Sequence, residues 1–67
     1  MATGLNTPDE ILATALRKEE QAYAFYSKLL DMPKADFVRN LIESLRDEEA
    51  KHVQKIRKEI VRLNLGK

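Results

Sequence analysis

One short turn divides this chain into two long helical patterns, and this division limits the folds open to it. The turn is predicted at Asp31-Met32-Pro33-Lys34, because Asp and Pro interrupt helices. Upstream, Thr7-Pro8-Asp9-Glu10 combines a capping Thr, a first-turn Pro and the Glu of a capping box. The sequence therefore predicts a helix over about 8–31, a turn at 32–35 and a second helix over about 36–64.

Each predicted helix carries one apolar stripe at helical spacing. The stripes are Leu12, Leu16, Tyr23, Tyr26 and Leu30, then Val38, Leu41, Leu45, Ile56 and Leu63. There is no strand pattern and no internal repeat, so the fold class is all-α, an antiparallel two-helix hairpin. A lone hairpin buries too little surface for stability. We therefore expect a homodimer or higher homo-oligomer, in which two hairpins form a four-helix bundle.

Composition narrows the class of protein. A chain of 67 residues is a single domain, and the absence of Cys excludes disulfides and thiolate metal sites. No apolar run is long enough to cross a bilayer. The segment from Met1 to Thr7 has neither the basic start nor the apolar stretch of a signal peptide, which predicts a cytoplasmic location.

Basic residues concentrate toward the end of the chain. Residues 51–67 carry 6 basic and 1 acidic side chains, against 6 basic and 10 acidic in residues 1–50. Nucleic-acid binding is disfavoured because no groove-reading motif accompanies this charge. Cations near the end of a helix also complement its dipole, which is a sufficient structural account of the pattern.

Three polar residues interrupt the apolar stripes: Glu19, Glu49 and His52. At about 100° per residue, each lies within about 40° of the centre of its stripe. Glu20 and Asp47 fall outside the stripes and are expected to face water. Buried carboxylates without partners are costly, so the usual reason for such a group is a metal ion. Glu49 and His52 also form Glu-x-x-His, the pattern with which helical bundles bind two metals.

The three residues are also predicted to meet at one level. Glu19 and Glu49 lie about 18 and 21 Å from the turn at 1.5 Å per residue, and His52 is one helical turn from Glu49. Two symmetric hairpins would then offer four carboxylates and two imidazoles, a ligand set suited to iron or manganese. In a metal-free dimer, the two like charges are expected to raise one another's pKa.

These residues resemble the rubrerythrin-like members of the ferritin-like superfamily, and the encapsulated ferritins among them. The segment from Glu19 to Tyr26 reads Glu-x-x-Ala-x-x-Phe-Tyr, and the segment from Asp47 to His52 contains the Glu-x-x-His helix. The resemblance covers about residues 8–62. It departs from full rubrerythrins, which carry two such hairpins and often a Cys-rich rubredoxin domain.

The resemblance implies a role for each matching residue. Glu19 is a first-helix ligand, Glu49 a bridging carboxylate and His52 a terminal imidazole, and these three are also the predicted catalytic residues. Tyr23, Tyr26 and Glu48 are predicted to lie next to the ligands. Encapsulated ferritins dock to a protein nanocompartment, and Leu63 to Lys67 is a candidate remnant of such a docking tail, although a frayed helix end is the favoured explanation.

The predicted function is oxidation of Fe(II) by dioxygen or peroxide, at an inter-subunit site that holds two iron ions per dimer. Two alternatives stay open at this point. The same ligands suit a structural zinc or manganese ion without redox activity. The hairpin is also compatible with a pure dimerisation or interaction module that binds another helix.

Overall fold

The computed structural model describes residues 7–66, and in that range its regular structure consists of two helices. Helix α1 spans Pro8–Leu30 and helix α2 spans Asp36–Leu65, and the two pack against each other as a hairpin. The prediction of an all-α hairpin is confirmed. The segment Met1 to Asn6, on which the signal-peptide argument relied, and Lys67 of the basic end lie outside the described residues.

The start of α1 is capped by Thr7. Its backbone is extended, and its Oγ1 accepts a hydrogen bond of 3.1 Å from the Glu10 backbone N–H. The Thr7 hydroxyl in turn donates to Glu10 Oε1 at 3.0 Å. Glu10 thus bonds to the hydroxyl of the cap, where a full capping box would use the backbone N–H of the cap residue.

The turn is built from backbone hydrogen bonds. The Asp31 N–H donates to the Lys28 carbonyl at 3.1 Å, and the Met32 N–H donates to the Leu29 carbonyl at 3.2 Å. On the other side, Ala35 is the N-cap of α2 without a side-chain hydrogen bond. Five residues therefore separate the helices, which is short enough to make them antiparallel neighbours.

The hairpin is a single layer of helices. It measures 48 × 29 × 13 Å, and its thinnest dimension is close to the diameter of one helix, about 10–12 Å with side chains. No described residue is buried from solvent. Domains normally place two layers around a core, so the hairpin exposes surface that a second layer would cover. Among the described residues, no helix combines the length and the apolar character needed to span a membrane.

The end of α2 is helical through Leu65. The Gly66 N–H donates to the Arg62 and Leu63 carbonyls at 3.1 and 3.2 Å, which closes the helix. A docking role for this end stays a prediction. Only Arg62 of the basic residues lies in the last turn. Because a helix dipole acts within about one turn of the end, it does not account for the lysines farther back in α2.

Candidate metal centre

The three predicted ligands lie at the middle of the hairpin. Glu19 is the central residue of the 23-residue α1, with 11 residues on either side. The midpoint of the 30-residue α2 falls between Ala50 and Lys51, and Glu49 and His52 flank that pair. The i, i+3 spacing places Glu49 and His52 on one face of α2. The antiparallel turn brings this face to the level of Glu19.

The imidazole of His52 lies between the two carboxylates. Its Nδ1 is 3.2 Å from Glu19 Oε2 and 3.4 Å from Glu49 Oε1. One possible ligand atom from each of the three residues lies within 4.8 Å of the other two. The contact between His52 and Glu19 joins residues that are 33 positions apart in the sequence, so the fold itself assembles the cluster.

Exposure differs strongly among the three side chains. The exposed fraction is 17% for Glu49 and 28% for Glu19, whereas it is 49% for His52. The carboxylates therefore line the inner side of the cluster, and the imidazole lies at its open edge. A second layer of protein that covered the cluster would therefore contact His52 before either carboxylate.

The pKa values of the two carboxyl groups shift in opposite directions. The hydrogen bond to Glu49, assisted by His52, holds the pKa of Glu19 below its ordinary value. The same hydrogen bond, together with partial removal from water and the charge of Glu19, raises the pKa of Glu49. The expectation that each carboxylate raises the pKa of the other is therefore wrong for Glu19. The hydrogen bond between the two groups favours the ionised form of Glu19 and the protonated form of Glu49.

The chemistry of the donors fits a divalent metal ion. Carboxylate oxygens and a neutral imidazole nitrogen are ligands that iron, manganese and zinc accept. Three protein donors leave further coordination positions open. Binding requires deprotonated ligands, so protons compete with a metal for this site.

The residues that were predicted to lie next to the ligands are Glu48, Tyr26 and Tyr23, and each lies in a different part of the hairpin surface. Glu48 is exposed and lies 3.5 Å from Lys51 Nζ. Tyr26 is half-buried, and its ring packs edge-on against Phe25 with centroids 5.6 Å apart. Tyr23 is exposed and lines a shallow groove on the flank of the hairpin. The Glu48–Lys51 and Phe25–Tyr26 contacts thus do not involve the three ligands. A role for Tyr23, Tyr26 and Glu48 beside a metal stays a prediction.

One cross-helix contact was not anticipated. Arg57 Nη2 donates to Glu20 Oε2 at 2.8 Å, and the pair spans the groove beside Tyr23. Both side chains are about half exposed, so the pair adds about 0–1 kcal/mol of stability. Glu20 faces outward as predicted, as does Asp47. Because 37 residues separate Glu20 from Arg57 in the sequence, their opposite charges were the only sequence signal of this contact.

Comparison with known proteins places the chain in a family. The family model described as Rubrerythrin matches residues 10–67, a range that contains all three candidate ligands. The chain belongs to the rubrerythrin family. This confirms the resemblance to ferritin-like proteins, and rubrerythrins bind metal, usually iron. Searches of curated proteins and of solved structures found no match.

Proposed function

We propose that two copies of this chain form a four-helix bundle with a di-iron carboxylate site between them, and that the site oxidises Fe(II) with dioxygen or peroxide. Fe(II) is the substrate that loses electrons and the oxidant is the group that gains them. The observation that carries the proposal is the cluster of Glu19, Glu49 and His52 at the centre of a single-layer hairpin.

The architecture supports assembly around this cluster. None of the described residues of the hairpin is buried. The cluster of three ligand residues is open to solvent on the side where His52 lies. A second hairpin would supply the missing layer. Related by two-fold symmetry, it would also complete a set of four carboxylates and two imidazoles, which matches the ligand set of di-iron bundles.

The protein groups have three tasks in this proposal. Carboxylates from Glu19 and Glu49 offset the charge of two adjacent cations, and His52 adds a neutral donor. The raised pKa of Glu49 makes metal uptake depend on pH, because a proton competes with the metal for this carboxylate. The covering hairpin excludes water from the site. Iron held there supplies the electrons that reduce the oxidant.

The proposal is tested by titrating Fe(II) into the protein without oxygen and then admitting air or peroxide. We expect uptake of about one iron per chain, or two per dimer, followed by a new near-ultraviolet ferric absorption. A matched control is Asp47→Asn, which removes an exposed carboxylate two residues before Glu49 and is expected to leave both readings unchanged.

Other results would favour other functions. Uptake of zinc or manganese without any oxidation of Fe(II) would contradict the redox proposal and favour a structural ion. Failure to take up any metal would leave the hairpin as a dimerisation or interaction module.

A further inference from the structure

We propose that Fe(II) reaches the metal centre through a groove on the side of the hairpin opposite His52, where the carboxylate of Glu20 receives the ion before Glu19 does and Arg57 opposes its entry. This inference rests on the proposed function and adds the route by which the substrate enters. The groove, called the outer groove below, is lined by Glu20, Tyr23, Ala50, Val53, Gln54 and Arg57.

The outer groove lies beside the metal cluster along both helices. Each of the three ligands is followed in the sequence by a residue that lines the groove. Consecutive residues of a helix are about 100° apart, so a ligand that faces the cluster has its successor on the flank of the helix. The groove and the cluster therefore share the same level of the hairpin. The three pairs of neighbours are Glu19–Glu20, Glu49–Ala50 and His52–Val53.

A partner that completes the metal site leaves the outer groove in water. Glu20 and Arg57 lie about 80° and 120° to one side of the apolar stripes of their helices, whereas His52 lies about 20° to the other side. The contact between Glu20 and Arg57 shows that these two side chains share one face of the hairpin. The second hairpin of the proposed dimer covers the cluster from the side of His52. The outer groove then stays open to solvent beside the covered site.

The lining of the outer groove suits a hydrated cation in transit. Its volume of about 360 Å³ has room for about twelve water molecules at about 30 Å³ each. Glu20 supplies one carboxylate, and Tyr23 and Gln54 carry neutral oxygen atoms, which are ligands that hard divalent cations accept. A site with one carboxylate holds a cation weakly. The cluster, with two carboxylates and an imidazole, therefore takes the ion from it.

Arg57 occupies the carboxylate that an entering cation needs. Its Nη2 donates to Glu20 Oε2 at 2.8 Å, and its positive charge repels a divalent cation. The two side chains are 56% and 46% exposed, and an exposed ion pair is weak. The pair therefore opens readily. Entry of an ion is an exchange in which the cation replaces the guanidinium group at Glu20.

The same pair has a simpler structural interpretation as a clasp between the two helices. A clasp depends on the attraction between the two charges, so loss of either charge has the same effect on the hairpin. An entrance depends on the sign of each charge, because Glu20 attracts the metal ion and Arg57 repels it. The two interpretations therefore predict different results when each charge is removed in turn.

The rate at which cobalt(II) binds to the metal-free protein distinguishes the entrance from the clasp. Cobalt(II) has the charge and the ligand preferences of Fe(II) and is not oxidised by air under these conditions. The visible absorption of protein-bound cobalt(II) follows binding after rapid mixing, and removal of the ion by a chelator gives the dissociation rate. Equilibrium uptake and helix content by circular dichroism are recorded for each variant.

Opposite changes are expected when the two charges are removed one at a time. Glu20→Gln should slow cobalt(II) association about 10-fold, and Arg57→Gln should speed it about 3-fold, which is the lower end of the effect of charge on association rates. Dissociation should change in the same direction as association, because an ion leaves by the route through which it enters. Both variants should still take up about one ion per chain, since no ligand is changed.

Two control variants and one exchange of charges complete the experiment. Asp47→Asn and Lys58→Gln remove the same charges from exposed positions outside the groove, and wild-type rates are expected for both. The double variant Glu20→Arg with Arg57→Glu keeps both charges but moves the carboxylate away from the residue next to Glu19. Its association should stay slow, whereas a clasp predicts that the exchange restores the wild-type rate.

The possible results separate this inference from the proposed function. Slower association in both single variants with recovery in the exchanged pair, or a wild-type rate in Glu20→Gln, would overturn the entrance. Equilibrium uptake of metal by the wild-type dimer would leave the proposed function intact in either case. A wild-type protein that takes up neither cobalt(II) nor iron would overturn both.

Discussion

Replacing Glu49 with glutamine is expected to have two opposite effects: iron binding is lost, and the metal-free protein becomes more stable to heat. Glutamine keeps the shape of the protonated carboxyl group but removes the negative charge that two metal ions need. We expect the affinity for Fe(II) to fall by more than about 100-fold, beyond the effect typical of residues that only support a ligand.

The gain in stability follows from the direction of the pKa shift. The pKa of Glu49 is raised in the folded protein, chiefly by its hydrogen bond to Glu19. Such a group stabilises the fold below its unfolded pKa, and this contribution is lost as pH rises through the folded pKa. At neutral pH the ionised carboxylate therefore opposes folding, and glutamine relieves that opposition. The melting temperature of metal-free Glu49→Gln should exceed that of wild type at pH 7 and differ little from it in acid.

Asp47→Asn is the control for Glu49→Gln. It makes the same chemical change, carboxylate to amide, two residues earlier, on an exposed side chain that pairs with Arg46 at 3.1 Å. Its iron binding and melting temperature should stay near those of wild type. A lower melting temperature for metal-free Glu49→Gln, or tight iron binding by it, would show that Glu49 has a structural role and is not a ligand.

The second large effect is expected from a charge on the open face, the exposed apolar side of the hairpin that carries Ile11, Phe25, Phe37 and Leu41. Leu41→Glu should prevent dimer formation and abolish iron uptake, although none of the three ligands is changed. An ionised carboxylate would have to be buried without a partner between the hairpins, which is costly. The separated hairpin would lack a core and lose much of its helix content. Sedimentation, circular dichroism and Fe(II) titration measure the three consequences.

Val61→Glu is the matched control for Leu41→Glu. Both residues lie on α2 and both are 57% exposed in the hairpin, but Val61 lies on the outward side of the helix, away from the open face. An acidic residue near a helix C-terminus is slightly unfavourable, so the comparison is biased against the prediction. Equal loss of dimer and iron in both variants would contradict the assignment of the open face.

Much of the hairpin follows from local rules. The Thr7-Pro8 start and the Pro33 turn set the helix limits, and helical spacing then fixes which residues face the partner helix. Two antiparallel helices joined by a short turn have only one register, so Glu19, Glu49 and His52 were predicted at one level. The structure brings their ligand atoms together within 4.8 Å.

Features that depend on side-chain conformation were less predictable. Simple repulsion between Glu19 and Glu49 predicts that both pKa values rise, whereas a hydrogen bond between the carboxyl groups lowers that of Glu19. The Glu20–Arg57 pair depends on two long side chains at the edges of their stripes, where spacing gives little information. The family resemblance led us to predict Tyr23 and Glu48 next to the ligands, and the sequence did not show that both side chains are exposed.

Native mass spectrometry of the protein loaded with Fe(II) in the absence of oxygen tests the central claim most directly. The two-hairpin site predicts iron on dimeric ions, with two irons per dimer as the main species, and none on monomeric ions. A monomer that retains iron through the same conditions, or a stable dimer that carries none, would contradict the account.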